Sequence, residues 1–248
     1  MIKREFQSVL AAAILAIGVG SAVTANASVV IAATRVVYNA KDREATVKLS
    51  NEGNFPALTQ VWIDKGDPTI APTAADVPFT VTPPVARIDP GKGQTLRLFY
   101  TGDASLPKDK ESVFWLNVLE IPPKPTGEQA DRNTLQVAYR SRIKLFFRPT
   151  GLTGTASEAP QKLQWRQVSE DSSAVEIGNP TPYHVSIAHF EVQGPGKAAK
   201  FEEGGMVGPG ERKVFKMKGK IDGANAKVHY QAVSDYGGEI KGDALISQ

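Results

Sequence analysis

Apolar and polar side chains alternate almost without interruption over residues 134–149. The apolar side chains at odd positions are Leu135, Val137, Tyr139, Ile143, Leu145 and Phe147. The polar side chains at even positions are Gln136, Arg140, Arg142, Lys144 and Arg148. Such alternation predicts a β-strand with one apolar and one cationic face. At about 3.3 Å per residue it would run about 50 Å, too long for one sandwich to cover. We therefore expect part of its apolar row to be available to a partner.

The rest of the chain consists of short alternating or apolar segments between turns. The predicted strands are 29–38, 45–50, 57–63, 79–82, 85–88, 95–100 and 113–119 before the long strand, and 175–177, 185–190, 213–217 and 228–233 after it. No segment shows a convincing apolar period of 3.6 residues, so the pattern predicts an all-β sandwich fold. Residues 149–155 are rich in Pro, Gly and Thr, which is typical of a linker. The remaining chain is long enough for a second, small sandwich, with a cleft between the two near Lys144 and Arg148.

Composition excludes several classes of function. The chain of 248 residues is 41% hydrophobic and 22% charged, which is ordinary for a globular protein. Its formal net charge is only +3 and it has no run of Lys and Arg, so nucleic acid is not an expected partner. It has no cysteine, which rules out disulfides, thiol catalysis and Cys-based metal sites.

The first residues have the pattern of a secretory signal. Lys3 and Arg4 precede an apolar stretch over 9–20, and Ala25-Asn26-Ala27 is a small-x-small cleavage site. The apolar stretch is shorter than the roughly 20 residues that span a bilayer. We therefore expect residues 1–27 to be removed, the mature chain to begin at Ser28, and the exported protein not to insert in a membrane.

Catalytic motifs are weak. Ser-x-x-Lys occurs at Ser105–Lys108 and at Ser141–Lys144, but the first lies in a predicted loop. The second lies on the long strand, where side chains three positions apart point to opposite faces. Asp64 and Asp67 flank a glycine turn, which such residues favour. The histidines, which lack the spacing of metal ligands, are His184, His189 and His229. We expect no enzyme, no metal and no cofactor.

Several motifs together resemble a periplasmic pilus (fimbrial) chaperone of the chaperone–usher pathway. These motifs are Thr34–Tyr38, Phe79–Pro84, Pro107–Asn117, Ile121–Pro123, Arg142–Pro149, Asn179–Tyr183 and Asp235–Gly238. The most diagnostic is Glu-Ser-Val-Phe-Trp-Leu-Asn at 111–117, and one departure is Lys110, where the family more often has Arg. The resemblance covers essentially the whole mature chain.

The resemblance implies two immunoglobulin-like β-sandwich domains arranged as a boomerang. The domain boundaries are then a signal at 1–27, an N-terminal domain at 28–149, a hinge at 150–154 and a C-terminal domain at 155–248. The implied activity is donor-strand complementation, in which the long strand completes pilus subunits that are immunoglobulin-like folds lacking a strand, before delivery to an outer-membrane usher. The implied donor residues are Leu135, Val137 and Tyr139. The unpaired strand also leaves self-association of the free protein possible.

The resemblance also implies roles for five polar residues. Arg35 and Lys144 match the pair that anchors the subunit's C-terminal carboxylate; from the residues alone, exposed strand cations are the favoured interpretation. Glu111, Arg148 and Asp235 match an interdomain salt bridge. The connection over 122–133 is short and polar, which resembles the short-loop class that serves rod-like adhesive pili.

Two other classes of function remain open at this stage. One is a secreted two-domain carbohydrate-binding or adhesin module, which needs an aromatic platform. Trp62, Trp115 and Trp165 are instead predicted to be core residues of separate strands. The other is a periplasmic hydrolase, for which no catalytic set is visible.

Overall fold

The computed structural model describes residues 28–74, 76–102, 106–124, 127, 135–168, 170–195, 197–221 and 226–247. Within these ranges the regular structure is β-strand, apart from 3-10 helix at Pro72–Ala74, at Gly127 and at Ala159–Lys162. The predicted all-β fold class is confirmed. The predicted signal at 1–27 lies outside the described residues.

The first domain is a sandwich of two sheets. Its strands are β1 (Val29–Ile31), β2 (Arg35–Asn39), β3 (Ala45–Asn51), β4 (Ala57–Asp64), β5 (Phe79–Thr82), β6 (Val85–Ile88), β7 (Gly93–Tyr100), β8 (Ser112–Ile121) and β9 (Tyr139–Arg148). One sheet has the order β1-β3-β7-β5 and the other β2-β9-β8-β4-β6. Leu49, Leu96 and Leu98 from the first sheet and Leu116 and Leu145 from the second are fully buried between them. Burying a leucine contributes about 1.5–3 kcal/mol, so this shared core holds the sheets together.

The prediction of one strand over residues 29–38 is wrong. The segment forms two strands in different sheets: β1 pairs antiparallel with β3, and β2 pairs parallel with β9. The chain crosses between the layers after Ala32, whose N–H donates to Lys48 O at 2.9 Å. Because it crosses, Val29 and Val36 enter the same core from opposite sides.

The prediction of a strand over residues 134–149 is also wrong at its beginning, since β9 begins at Tyr139. The last β8–β9 pair is Glu120 with Tyr139. Continuing that register would place Pro122 and Pro123 opposite Val137 and Gln136, and proline has no N–H for a ladder. Gln136 uses its side chain instead, with Nε2 donating to Pro123 O at 2.9 Å. Residues 135–138 therefore continue past the end of β8 without a strand ladder.

The described residues of the second domain form eight strands, of which the sequence predicted four. They are β10 (Gln164–Gln167), β11 (Ala174–Gly178), β12 (Val185–Gly194), β13 (Lys197–Phe201), β14 (Gly205–Val207), β15 (Arg212–Lys216), β16 (Lys227–Val233) and β17 (Glu239–Ser247). β17 pairs with β16 up to Leu245 and with β10 from Ile246, so it links the two layers. The core between them is aromatic: the Trp165 ring lies 5.1 Å from Phe190 and 5.6 Å from Tyr230.

Candidate partner-binding site

Arg35 and Lys144 lie side by side where the two domains meet. They are paired residues of the parallel strands β2 and β9. Lys144 Nζ donates to Ser186 Oγ at 3.3 Å, and Arg35 Nη1 donates to Val233 O at 3.1 Å. Both acceptors belong to the second domain, so the structure brings the two predicted anchor residues together at the domain junction.

The environment of this cation pair favours a negatively charged ligand. Burial lowers the pKa of the Lys144 ammonium, and the neighbouring charges of Arg35 and Lys213 lower it further. Burial also lowers the pKa of Arg35, although Asp235 acts in the opposite direction. Arg35 Nε is buried without a hydrogen-bond partner in the described part of the chain. Two partly desolvated cations held by neutral oxygens form charge-assisted hydrogen bonds to a carboxylate readily.

Glu111, Arg148 and Asp235 form one ion-pair network across the same junction. Arg148 Nε donates to Glu111 Oε1 at 2.6 Å, and its two terminal nitrogens donate to Asp235 at 2.7 and 3.0 Å. Burial alone would lower the pKa of Arg148, but Asp235 and Glu111 raise it above its ordinary value. The sequence analysis missed His184, whose backbone N–H donates to Glu111 Oε2 at 2.8 Å. No local pattern marks that contact, because it spans the two domains.

The predicted donor residues are exposed in the segment just before β9 and at its first residue. Leu135 is 89% exposed, Val137 45% and Tyr139 43%. β2 covers the outer edge of β9 only from Lys144 onward. No strand among the described residues pairs with that edge between Tyr139 and Ile143. The odd-numbered side chains, which are buried at the C-terminal end of β9, are therefore exposed and apolar at 135, 137 and 139. The adjacent strand edge is unpaired.

The even-numbered face of β9 stacks on two tryptophans. The Arg140 guanidinium lies 4.6 Å from the Trp62 ring centre, and that of Arg142 lies 4.5 Å from the Trp115 ring centre. The prediction that Trp115 is a core residue is wrong, because it is half-buried on the outer face of the sheet. Trp62 is buried beneath Arg140, and these two rings offer no open platform for a sugar. Trp165 is a core residue as predicted.

Asp64 holds the two arginines in place. It accepts hydrogen bonds from Gly66 N at 2.6 Å, from Asn117 Nδ2 at 2.7 Å and from Arg142, and it pairs with Arg140 at 3.7 Å. Burial alone would raise the pKa of Asp64, but the hydrogen bonds from Arg142, Asn117 and Gly66 hold it below the usual range. The predicted glycine turn is present, with Asp64 accepting from Gly66 N. The sequence analysis missed the arginine contacts, which join strands far apart in sequence.

Those candidate catalytic residues that the structure describes do not assemble. Ser141 and Lys144 lie on β9 three positions apart, on opposite faces, and Ser105 lies outside the described residues. The described part of the chain contains no group of three or more His, Asp or Glu side chains placed to hold a metal ion. The same residues include no helix long and apolar enough to cross a membrane.

Together the fold and the site define a two-domain β-sandwich binding protein with an open strand edge and a cationic domain junction. Residues 28–153 match the family described as pili and flagellar-assembly chaperone, PapD N-terminal domain, and residues 158–244 match the PapD C-terminal domain of pili assembly chaperones. The chain therefore belongs to the PapD family of pili assembly chaperones, as the sequence motifs predicted.

Individual relatives agree with this family. The chain is 48% identical over 223 residues to the probable fimbrial chaperone YadV of Escherichia coli K12, covering 89% of this chain and 90% of the relative. It is 46% identical over 226 residues to the chaperone FimB/FhaD of Bordetella pertussis, covering 90% of each. A chain in the solved complex of the Salmonella enterica SafA pilin with the SafB chaperone has a TM-score of 0.72 and 27% identity, covering 90% of this chain and 98% of that one. The relatives are named as chaperones, not as enzymes.

Proposed function

We propose that this protein is a periplasmic chaperone that captures pilus subunits by donor-strand complementation and delivers them to an outer-membrane usher. It acts by binding, without catalysis. The periplasmic location rests on the signal pattern at residues 1–27, and the usher on the pathway in which the family works.

The observation that carries the proposal is the exposed apolar row that precedes β9 and ends at its first residue, beside an unpaired strand edge. Given the exposures of Leu135, Val137 and Tyr139, covering these side chains would contribute about 3–4 kcal/mol before ordering costs. A subunit that lacks one strand offers the complementary surface, because strand addition satisfies the free backbone groups while alternate side chains enter pockets. The SafA–SafB complex supports a pilus subunit as the class of partner.

Arg35 and Lys144 are proposed to bind the subunit's C-terminal carboxylate. Each charge-assisted hydrogen bond would contribute about 1.5–3 kcal/mol. The anchor would also set the register of the donor strand, because a slip of one residue turns every side chain to the other face. The Glu111–Arg148–Asp235 network is proposed to hold the domains at the angle that forms this site.

The test is capture of the pilus subunits made by the native host, using tagged wild-type protein and single variants in the periplasm. Val137→Asp places a charge in the donor row, and Lys144→Ala removes an anchor cation. Val85→Asp is the matched control, because Val85 is similarly exposed (51%) on β6, at the opposite edge of the sheet.

We expect wild type and Val85→Asp to retain a subunit-sized partner and the other two variants to lose it. If Lys144→Ala captures as much subunit as wild type does, Lys144 does not anchor the carboxylate. If Val137→Asp captures as much as wild type does, Val137 is not a donor residue. If wild type retains no partner while subunits are expressed, the chaperone proposal itself fails.

A further inference from the structure

Ser186 is the middle one of three neighbouring residues through which the second domain contacts cations at the junction. On β12 it pairs with Met206 of β14 on one side and with Val233 of β16 on the other. Each of these three neighbouring residues accepts a hydrogen bond from a different cation. The contacts are Lys213 Nζ to Met206 O (3.4 Å), Lys144 Nζ to Ser186 Oγ (3.3 Å) and Arg35 Nη1 to Val233 O (3.1 Å).

This arrangement places three cationic groups in one row. Adjacent strands are about 4.8 Å apart, so the three acceptor positions span about 10 Å, with Lys144 in the middle. The charge of Lys213 also acts on Lys144, whose pKa it helps to lower. Lys213 is therefore an electrostatic neighbour of the anchor pair although it belongs to the other domain.

Like the anchor cations, Lys213 donates to a neutral oxygen, but its side chain is exposed whereas theirs are partly buried. Its ammonium also lies 5.8 Å from the Phe215 ring centre. Within the described residues, neither Lys213 nor Lys144 nor Arg35 forms a salt bridge with a carboxylate. Asp235, the acidic residue that acts on Arg35, is already bound through both oxygens to Arg148. The row thus has positive charge that the protein itself does not neutralise by contact.

We infer that Lys213 is a third cation of the anchor, so that the oxyanion site is built from both domains and is complete only when they are held together. The inference rests on the proposed function for the identity of the ligand, a subunit's C-terminal carboxylate. The site itself is a property of this chain, and inorganic phosphate tests it without any subunit.

The experiment measures stabilisation of the full-length mature protein against thermal unfolding by sodium phosphate, relative to sodium chloride at equal ionic strength. A ligand that binds only the folded state stabilises it in proportion to ln(1 + [L]/Kd), so each variant yields an apparent Kd. The variants are Lys213→Gln and the matched control Lys216→Gln. Lys216 is on the same strand, but three positions away it faces the other side, near Asp171.

We expect Lys213→Gln to weaken phosphate binding about tenfold, which corresponds to about 1.4 kcal/mol, and Lys216→Gln to leave it unchanged. Equal phosphate affinity in Lys213→Gln and wild type, or equal weakening by both variants, would overturn the inference. If phosphate does not stabilise wild type more than chloride does, the three-cation site is also refuted.

A second readout separates this inference from the proposed function. A synthetic peptide that copies the C-terminal strand of the host's pilus subunit is compared as free acid and as amide. We expect wild type to prefer the acid and Lys213→Gln to lose part of that preference without weaker binding of the amide. If Lys144→Ala loses the preference but Lys213→Gln keeps it, the proposed function stands and the role of Lys213 fails. If Lys213→Gln weakens phosphate binding but wild type does not distinguish the acid from the amide, the three-cation site is supported. The proposal that its ligand is a subunit's C-terminal carboxylate is then wrong.

Discussion

Replacing Asp64 by Asn would remove the negative charge that the two arginines of β9 share. The Asp64 side chain is completely buried, while the paired side chains of Arg142 and Arg140 are 20% and 28% exposed. Asn keeps the size of the group and one acceptor oxygen. It cannot compensate the guanidinium charge of Arg142, whose Nε is already buried without a partner among the described residues.

The size of the effect follows from burial. Removing one partner of a buried ion pair costs about 3–5 kcal/mol, because the other charge stays buried and uncompensated. The arginines here are partly exposed, and Asn retains a hydrogen bond, so we expect Asp64→Asn to lower the free energy of unfolding of the first domain by about 2–4 kcal/mol.

Chemical denaturation followed by tryptophan fluorescence measures this effect directly, because Trp62 and Trp115 lie under the same arginines. The pH dependence is a second check. Since the pKa of folded Asp64 is below its unfolded value of about 3.9, its stabilisation is complete above that value and is lost as the pH falls through the folded pKa. The difference in free energy of unfolding between wild type and Asp64→Asn should therefore be constant from about pH 5 to about pH 7. It should shrink below about pH 4.

Asp76→Asn is the matched control. Asp76 is in the same domain, but its side chain is fully exposed and its contact with Lys65 is 3.5 Å long. Exposed pairs of this kind contribute about 0–1 kcal/mol. If Asp64→Asn costs no more than Asp76→Asn, or if its cost persists unchanged below about pH 3, Asp64 does not hold the arginines as a buried carboxylate.

Three further changes have predicted outcomes. Arg148→Ala leaves Glu111 buried without its cation and should destabilise the protein by about 3–5 kcal/mol in thermal unfolding, with a changed domain angle in small-angle scattering. Lys144→Met should raise the unfolding temperature at pH 7, even if it weakens subunit binding as proposed, because burial lowers the pKa of Lys144 and so penalises its charged form. That gain should disappear by about pH 11, where the lysine is neutral in both states. Leu135→Ala should weaken subunit binding about tenfold, without changing the unfolding temperature, because its side chain is 89% exposed.

Each of these outcomes has a control or a contrary result. For Arg148 the control is Arg87→Ala, because the exposed pair of Arg87 with Asp89 should contribute little to stability. A similar loss of stability in both variants would mean that the interdomain network stabilises the protein no more than an exposed ion pair does. A lower unfolding temperature for Lys144→Met would show that the charge is not penalised. Destabilisation by Leu135→Ala would place that side chain in the folded core rather than on a free edge.

Much of the fold follows from local pattern. In β7 the buried Leu96 and Leu98 alternate with exposed Thr95 and Arg97, and that period is readable without knowing the partner strand. The division of residues 29–38 between two sheets is not readable in this way. Both halves are apolar, and only the pairing of β1 with β3 and of β2 with β9 decides where the chain crosses.

The sequence by itself determined the all-β class, the candidate donor row and, through its motifs, the pilus chaperone family. Alternation and motif residues are local properties of the chain, so they can be recognised from the sequence alone. Tertiary structure decided where β9 begins, because Pro122 and Pro123, which directly follow the neighbouring strand, leave residues 135–138 without a ladder. It also decided that Asp64 supports the arginines, that Ser186 accepts from Lys144 and that the charge of Lys213 acts on Lys144. Those groups are distant in the chain, and only the packing of strands and domains brings their charges close enough to act on one another.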